Sequence, residues 1–373
     1  MKSMSGIYIH IPFCKQKCTY CDFHFSTNLG GQSQMTDAIC SEIAARKDYL
    51  NKPPTTIYFG GGSPSILTSE RLGQIFKSLH QHFDLTQVKE VTLETNPDDH
   101  KPEHLKFWKS LGINRLSIGI QSFHDRDLYF MNRAHDSAEA KNCVELARQA
   151  GFNSLTIDLI YGIPGQSFEE WKQNIETAIA LDTDHISAYC LTIESRTVLA
   201  KQLEKGAFDE KSDEEIEQEY LLLHDLLEAA GFEHYEISNF AKPGKEALHN
   251  SNYWTGKPYL GIGPSAHSFD GAYTRSWNIS NNTTYIKGVN AGETMSESEK
   301  LDKIQRINEQ IMTGLRTKSG LNYAGWEKPH QRALEASIKK LPKGIRIRNQ
   351  NSVVQLDPKN WLLADDVIRR LMF

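Results

Sequence analysis

Three cysteines near the start of the chain have a spacing that could hold an iron–sulfur cluster. Cys14, Cys18 and Cys21 follow the pattern C-x3-C-x2-C directly after the apolar run 7–11. Three thiolates can bind three corners of a [4Fe–4S] cube and leave the fourth iron open to a small molecule. The same cysteines could instead hold zinc, because His24 follows Cys21 and would complete a Cys3His set.

Composition limits the class of protein. The chain has 373 residues, 39% of them hydrophobic and 24% charged, which is ordinary for a soluble globular protein. A net charge of −5 gives no basic footprint for nucleic acid, so no nucleic-acid partner is expected. We find no secretory signal and no apolar stretch of about 18–20 residues that would span a membrane. Six cysteines do not suggest a disulfide scaffold, and a cluster held by thiolates needs a reducing compartment, so we expect a cytoplasmic protein.

Short β-rich runs alternate with longer amphipathic stretches over the first half of the chain. This alternation predicts a parallel sheet with right-handed crossovers, and it stops near residue 195. We therefore expect an α/β fold built on an incomplete (β/α)6 barrel. The predicted strands are 7–11, 56–59, 88–94, 115–120, 154–160 and 185–193, and the predicted helices are 35–50, 70–82, 103–111, 138–150 and 168–181.

The remaining sequence suggests two further units. Residues 232–290 are rich in Asn, Tyr, Gly and Pro and predict loops with short strands. Beyond residue 299, helical patterns and two short strands suggest a small winged-helix-like α+β domain. We therefore divide the chain into a partial barrel at 1–200, a barrel extension at 201–295 and a C-terminal domain at 296–373. A wing of this kind often binds DNA, but its aspartates dilute the positive charge. A DNA-binding regulator that uses the cluster as a sensor is therefore a weak alternative.

Polar residues stand at the ends of successive predicted strands, where barrels of this type build their sites. The second strand runs into Gly60-Gly61-Gly62-Ser63, where glycines allow a close approach of backbone to a ligand. Glu94, Gln121 and Asp158 belong to the next three strands, and Arg133 lies twelve residues after Gln121. Any of these could form a structural ion pair, but several converging on one barrel mouth favour a pocket for a polar ligand.

These motifs together resemble the radical S-adenosylmethionine (SAM) superfamily, and within it the branch of coproporphyrinogen dehydrogenases and heme chaperones. The matching segments include Tyr-Ile-His-Ile-Pro-Phe-Cys, Cys-Thr-Tyr-Cys-Asp-Phe, the glycine turn and Gly-Ile-Gly-Pro-Ser-Ala-His at 261–267. The resemblance implies that Cys14, Cys18 and Cys21 hold the cluster. It also implies a SAM site lined by Tyr8, Tyr20, Gly61, Gly62, Ser63, Glu94, Gln121, Arg133 and Asp158.

Three features separate the functional kinds within this branch. The dehydrogenases carry a fourth cysteine two residues after the third, where this chain has Phe23, and a long N-terminal extension, whereas thirteen residues precede Cys14 here. The chaperones resemble this chain in the motif H-N-x-x-Y-W, which is met in full by residues 249–254. We therefore expect a heme chaperone that carries a [4Fe–4S] cluster with exchangeable SAM and delivers heme to an acceptor hemoprotein, membrane-associated acceptors included.

The heme site that this resemblance implies rests on three residues. His249 would be a ligand of the heme iron, and Tyr253 and Trp254 would offer flat faces to the porphyrin. A loop histidine that bonds to backbone is an equally good interpretation of His249 from the sequence alone. His267 could approach a ligand or play a structural part. The alternative activity is oxygen-independent coproporphyrinogen III dehydrogenase, which removes carboxyl groups from propionates by radical chemistry.

Overall fold

Six parallel strands form the centre of the molecule. The computed structural model describes residues 4–373. Each strand pairs in parallel with the next one along the chain, so the predicted α/β barrel core is confirmed. The strands are β1 (Gly6–Ile11), β2 (Thr56–Gly61), β3 (Glu90–Thr95), β4 (Arg115–Gln121), β5 (Ser154–Tyr161) and β6 (His185–Cys190).

Helices cross between these strands on the outer face of the sheet. The sequence signals for their starts are clear in the structure: Asp136 with Glu139, and Ser167 with Glu170, form capping boxes at the first turns of two helices. One short helix, at Asp125–Phe130, lies outside the predicted set. The helices are α1 (Gln32–Ala45), α2 (Ser69–His82), α3 (Pro102–Ser110), α4 (Asp125–Phe130), α5 (Ser137–Gln149) and α6 (Phe168–Ala180).

The alternation of side chains along β1 shows how the sheet separates core from site. Ile7, Ile9 and Ile11 are buried in the main hydrophobic core. Tyr8 and His10 point to the opposite face, where they line a cavity. A strand of this pattern therefore stabilises the fold with one face and supplies polar side chains to the barrel interior with the other.

The chain after β6 widens the same sheet at both edges. At one edge, β8 pairs antiparallel with β6, and β7 pairs with β8. At the other edge, β9 lies parallel to β1 and is followed by antiparallel partners, which gives twelve strands in all among the described residues. The division at residue 200 stays a prediction, and the sheet is continuous across it. The elements are α7 (Val198–Glu204), α8 (Asp213–Ala229), β7 (Glu233–Glu236), β8 (Asn239–Ala241), α9 (Leu248–Trp254), β9 (Tyr259–Ile262), β10 (His267–Phe269), β11 (Thr274–Asn278), α10 (Asn282–Asn290) and β12 (Ser296–Lys300).

The last part of the chain forms a three-stranded sheet with helices, where the sequence predicted helices and two short strands. The strand order is β13-β15-β14, and the fully buried Trp361 belongs to a core that is continuous with that of the barrel. No helix within residues 4–373 is long and apolar enough to cross a membrane. The elements are α11 (Lys303–Gly314), β13 (Leu321–Asn322), α12 (Lys328–Ile338), β14 (Ile347–Gln350), β15 (Val353–Leu356) and α13 (Ala364–Leu371).

Candidate functional site

The three cysteines lie on one loop that leaves the end of β1 and is fixed at several points. The Cys14 amide donates to the Ser26 carbonyl at 3.1 Å, and the Thr19 amide donates to the Met131 carbonyl at 3.1 Å. The three thiols are free and partly buried. The loop is thus held against the segment that follows α4, with its sulfur atoms available as ligands.

The surroundings of the sulfur atoms suit thiolate ligands. Burial, opposed by the Ser63 hydroxyl, raises the pKa of the Cys14 thiol to about 12. A thiol in such a place ionises when a metal cation binds it. The Arg133 guanidinium lies 3.3 Å from the Cys18 sulfur and the Ser63 hydroxyl lies 3.8 Å from the Cys14 sulfur, so both can donate to ligating sulfur. The donor set therefore fits an iron–sulfur cluster.

The zinc alternative finds no support in this geometry. The Nε2 atom of His24 is 2.7 Å from Oδ1 of Asn282, so this ring nitrogen already has a partner in the fold. Within residues 4–373, no three His, Cys, Asp or Glu side chains are close enough together to hold a single metal ion. The cysteine loop is better matched to a larger cluster that takes one sulfur at each of three corners.

The glycine turn after β2 brings the backbone against the cysteine loop. Gly61 has a φ of 105°, and a Cβ there would lie 2.5 Å from the His10 ring. A Cβ at Gly62 would lie 2.5 Å from the Phe13 carbonyl oxygen. The Ser63 amide donates to that same carbonyl at 2.7 Å. Only glycine allows this close approach. The backbone predicted to contact SAM is therefore packed directly against the cysteine loop.

Glu94 is the carboxylate nearest to this turn. Its oxygens accept hydrogen bonds from the Tyr58 hydroxyl at 2.7 Å and from the Gly61 amide at 3.2 Å. Burial raises the pKa of Glu94 to about 7, although both hydrogen bonds act in the opposite direction. Asp158 adds to the increase by charge repulsion. Glu94 is therefore poised to change protonation near neutral pH.

A chain of polar contacts links the glycine turn to the cluster. Asn96 donates to the Ser63 hydroxyl at 2.9 Å and accepts from the Arg133 guanidinium at 2.6 Å. Arg133 also donates to the Gly119 carbonyl at 2.7 Å and extends to Cys18. Asn96 was missed in the sequence, where its signal was its place two residues after Glu94 at the end of the strand.

Gln121 and Asp158 lie on the neighbouring strands. Gln121 is buried and has a φ of 71°, next to a register shift between β4 and β5. Strained residues and bulges of this kind cluster at functional sites. Asp158 is 3.4 Å from the Ser117 hydroxyl, and burial raises its pKa to about 6. Tyr20 lies close to Arg133 and Cys18, and burial raises the pKa of its hydroxyl.

A cavity of about 390 Å³ opens beside these groups at the β1 side of the sheet. Of the predicted SAM residues, it is lined by Tyr8, Gly61 and Glu94, and Tyr253 of the predicted heme set also borders it. The other predicted SAM residues lie outside this lining; Tyr20, Ser63 and Arg133 approach the cysteine loop. The lining contains further residues that the sequence did not place in the SAM site or the heme site: His10, Phe23, His24, Tyr259, Ser265 and His267.

The motif at residues 249–254 lies in helix α9, where the structure places its histidine against other side chains. His249 is buried inside the fold, and its ring nitrogens lie 2.8 Å from the Thr56 hydroxyl and 2.9 Å from the Tyr253 hydroxyl. Burial lowers the pKa of His249 to about 3. Trp254 is partly buried and does not line the cavity. In this structure His249 is therefore a packed, fully bonded histidine, and ligation of heme iron by it stays a prediction.

Comparisons with known proteins agree with the predicted fold and superfamily. The family model of the radical SAM superfamily matches residues 8–178. Heme chaperone HemW of Mycobacterium tuberculosis is 35% identical, with 98% of this chain and 94% of that protein covered. Heme chaperone HemW of Bacillus subtilis is 33% identical, with 98% of each chain covered.

A solved structure supports the fold over almost the whole chain. Coproporphyrinogen III oxidase (HemN) from Escherichia coli, a radical SAM enzyme, superposes with a TM-score of 0.84 at 22% identity. The match covers 99% of this chain and 90% of that one. At this identity the likeness concerns the fold alone. The near-complete coverage by the curated relatives decides the family: the chain belongs to the HemW heme chaperone family of the radical SAM superfamily.

Proposed function

We propose that this protein binds heme in the cavity beside β1 and delivers it to an acceptor hemoprotein. The observation that carries the proposal is the lining of the cavity, which combines flat rings with imidazoles. Tyr8, Phe23, Tyr253 and Tyr259 offer aromatic faces. Such faces pack well on a porphyrin, and imidazole is a common ligand of heme iron. Membership of a family whose curated relatives are named heme chaperones supports the same conclusion.

The mouth of the cavity suits a cargo that enters and leaves. Phe23 lies at the cavity and is 75% exposed. Its ring is therefore accessible to a ligand that enters the cavity. In the resembling dehydrogenases a cysteine occupies this position. Phe23 can pack against a flat apolar molecule and cannot supply a thiol.

The charges of the cavity disfavour the dehydrogenase alternative. Coproporphyrinogen III carries four propionates, which are bound most strongly by cationic side chains. No lysine or arginine is among the described residues that line the cavity, and Glu94 adds a negative charge when ionised. Heme carries two propionates, which can remain in water at an open mouth. The lining therefore fits heme better than it fits the more anionic substrate.

The cluster and SAM are assigned to the cysteine loop and the glycine turn, which lie beside the cavity. Cys14, Cys18 and Cys21 would hold the cluster, which when reduced would supply the electron that cleaves the sulfonium of a bound SAM. The Gly61–Ser63 backbone would hold the amino end of SAM, while Arg133 stabilises ligating sulfur. Glu94 fixes the glycine turn through the Gly61 amide. Since Gly61 and Glu94 also line the cavity, cargo and SAM would be neighbours.

We extend the proposal to the setting of the protein. Free cysteines that hold a cluster require a reducing compartment, so we place the protein in the cytoplasm. The acceptor is a hemoprotein that takes up heme from the open mouth of the cavity, and acceptors at the membrane are included. No nucleic acid is assigned as a partner.

The test uses anaerobically reconstituted protein with two separate ligands. One sample is titrated with hemin, and the other is incubated with coproporphyrinogen III, SAM and a reductant. We expect saturable binding of heme and no decarboxylated product. Formation of protoporphyrinogen would assign the protein to the dehydrogenases, and the absence of saturable heme binding would refute the chaperone function.

A further inference from the structure

His249 has no free ring nitrogen for iron. Its Nδ1 atom is 2.8 Å from the Thr56 hydroxyl, and its Nε2 atom is 2.9 Å from the Tyr253 hydroxyl. The ring also stacks on Tyr58, with 5.1 Å between centroids. The side chain is 1% exposed. Iron ligation would require loss of a buried hydrogen bond and movement of packed rings, which is costly.

The cavity is lined by three other histidines, and their ring nitrogens are occupied to different extents. His10 is buried, with one ring nitrogen 3.1 Å from the Tyr8 hydroxyl and the other 3.0 Å from the His24 carbonyl. His24 has one nitrogen 2.7 Å from Asn282. His267 is exposed to the cavity, and within the described chain no hydrogen bond engages its ring. Of these three, His267 alone has both nitrogens free.

The backbone that carries His267 is held firmly. Glu42 is buried and accepts hydrogen bonds from the Gly263 amide at 2.8 Å and from the Asn278 side chain at 2.7 Å. The backbone amide of Asn278 donates to the Ala266 carbonyl at 2.9 Å. His267 itself begins β10 and pairs with Trp277 of β11. A ligand on such a rigid element is preorganised.

The state of the imidazole is also suitable. Partial burial and the positive charge of Arg275 lower the pKa of His267. A neutral imidazole has the lone pair that iron requires. The ring is therefore available as a ligand at neutral pH without displacement of a proton.

We propose that His267, rather than His249, coordinates the iron of the heme cargo. The proposal rests on the heme-binding function proposed above and names the iron ligand within that site. The porphyrin would then lie in the cavity with the Tyr253 and Tyr259 rings at its side; these two rings are perpendicular, 4.7 Å apart.

His249 receives a positioning role in this arrangement. It lies one helical turn before Tyr253 on α9, where side chains four residues apart share a face. Its contact with the Tyr253 hydroxyl fixes the orientation of that ring at the cavity wall. The H-N-x-x-Y-W motif then supplies a fixed aromatic wall to the cargo site, without touching the iron.

The experiment measures heme spectra and affinity of the anaerobic, reconstituted full chain. Hemin is titrated into the wild type, His267→Ala, His249→Gln and the surface control His80→Ala, which lies on the exposed face of α2. For His267→Ala we expect a displaced Soret band and a Kd increased by about tenfold or more, since even outer partners of metal ligands contribute roughly 10- to 100-fold. Added imidazole should restore the wild-type spectrum in this variant. His249→Gln and His80→Ala should keep the wild-type band position.

The outcomes separate this inference from the function on which it rests. A displaced Soret band in His267→Ala that imidazole restores supports direct ligation, because a merely structural loss would not be repaired. A wild-type spectrum in His267→Ala, or a displaced band that imidazole does not restore, would overturn the assignment while heme binding itself stands. A wild type that shows no saturable heme binding would instead refute the proposed function. Cluster absorbance is measured in each sample, so that only samples of equal cluster content are compared.

Discussion

Replacing Glu94 by glutamine should remove a pH-dependent cost to the stability of this protein. Glu94 lies partly buried at the cavity wall, where burial raises the pKa from an ordinary 4.5 to about 7. The native state thus binds this proton more tightly than the unfolded chain does. Stability therefore falls as the pH rises from about 4.5 through about 7, as proton linkage requires.

The size of the effect follows from the two pKa values. At about 1.4 kcal/mol for each pH unit, the interval from 4.5 to about 7 corresponds to about 3 kcal/mol. Between about pH 5 and about pH 8 the native state would lose about 2–2.5 kcal/mol of this, with some screening by cavity water. Glutamine has no charge to desolvate. The glutamine side-chain oxygen can still accept from the Gly61 backbone amide, and the side-chain NH2 group can donate to the Tyr58 hydroxyl. Both contacts of Glu94 therefore have a replacement.

Urea unfolding at several pH values, with equal cluster content in each sample, measures this difference. We expect Glu94→Gln to be more stable than the wild type by about 2–3 kcal/mol near pH 8 and nearly equal to it near pH 5. An exposed glutamate, Glu293, provides the control: Glu293→Gln should follow the wild-type profile. Parallel profiles for the wild type and Glu94→Gln would show that the carboxylate is not desolvated in the native state, and the reasoning from burial would be wrong.

Three further predictions concern the cluster and SAM. Replacing Cys14, Cys18 or Cys21 by serine should abolish iron–sulfur absorbance, whereas the same change at Cys40, Cys143 or Cys190 should preserve it; loss only in the second set would identify the wrong cysteines. Asp158→Ala should weaken SAM binding by about 1–3 kcal/mol in calorimetry with the cluster retained, and unchanged affinity would make Asp158 structural. Asn96→Ala should weaken SAM binding by a similar amount, about 1–3 kcal/mol, because Arg133 and Ser63 lose their shared partner. Equal affinity in this variant would show that Arg133 is held well enough by Gly119.

The barrel core could be predicted from the sequence because its signals are local. Strand β1 shows the alternation clearly, with isoleucines toward the core and Tyr8 and His10 toward the cavity. The helix caps at Asp136 and Ser167 likewise depend on residues three positions apart. Such patterns are read within one element and need no knowledge of what packs against it.

The polar contacts within the site depend on tertiary structure. The sequence indicated some of the residues that take part, but not the contacts that connect them. Glu94 and Arg133 were predicted, but the connection between them and the cysteine loop runs through Asn96, Ser63 and Gly119. Asparagine before proline is frequent in turns, so Asn96 had a sufficient local explanation. Its two partners lie thirty or more residues away along the chain, beyond the reach of any local pattern.

The position of the cavity also depends on tertiary structure, and it bears on which histidine is placed to bind heme iron. The cavity lies on the side where β9 pairs with β1, which places Tyr259 opposite Gly6. This pairing brings β10, and with it His267, to the same wall as residues from the cysteine loop and the glycine turn. The strands near 259–269 were expected only as short strands among loops, with no partner assigned. Without that pairing, the histidine in the recognisable motif was the natural choice as iron ligand. With the β9–β1 pairing known, His249 is seen to be hydrogen-bonded to Tyr253, which lines the cavity. The imidazole at the cavity that has no hydrogen bond is that of His267.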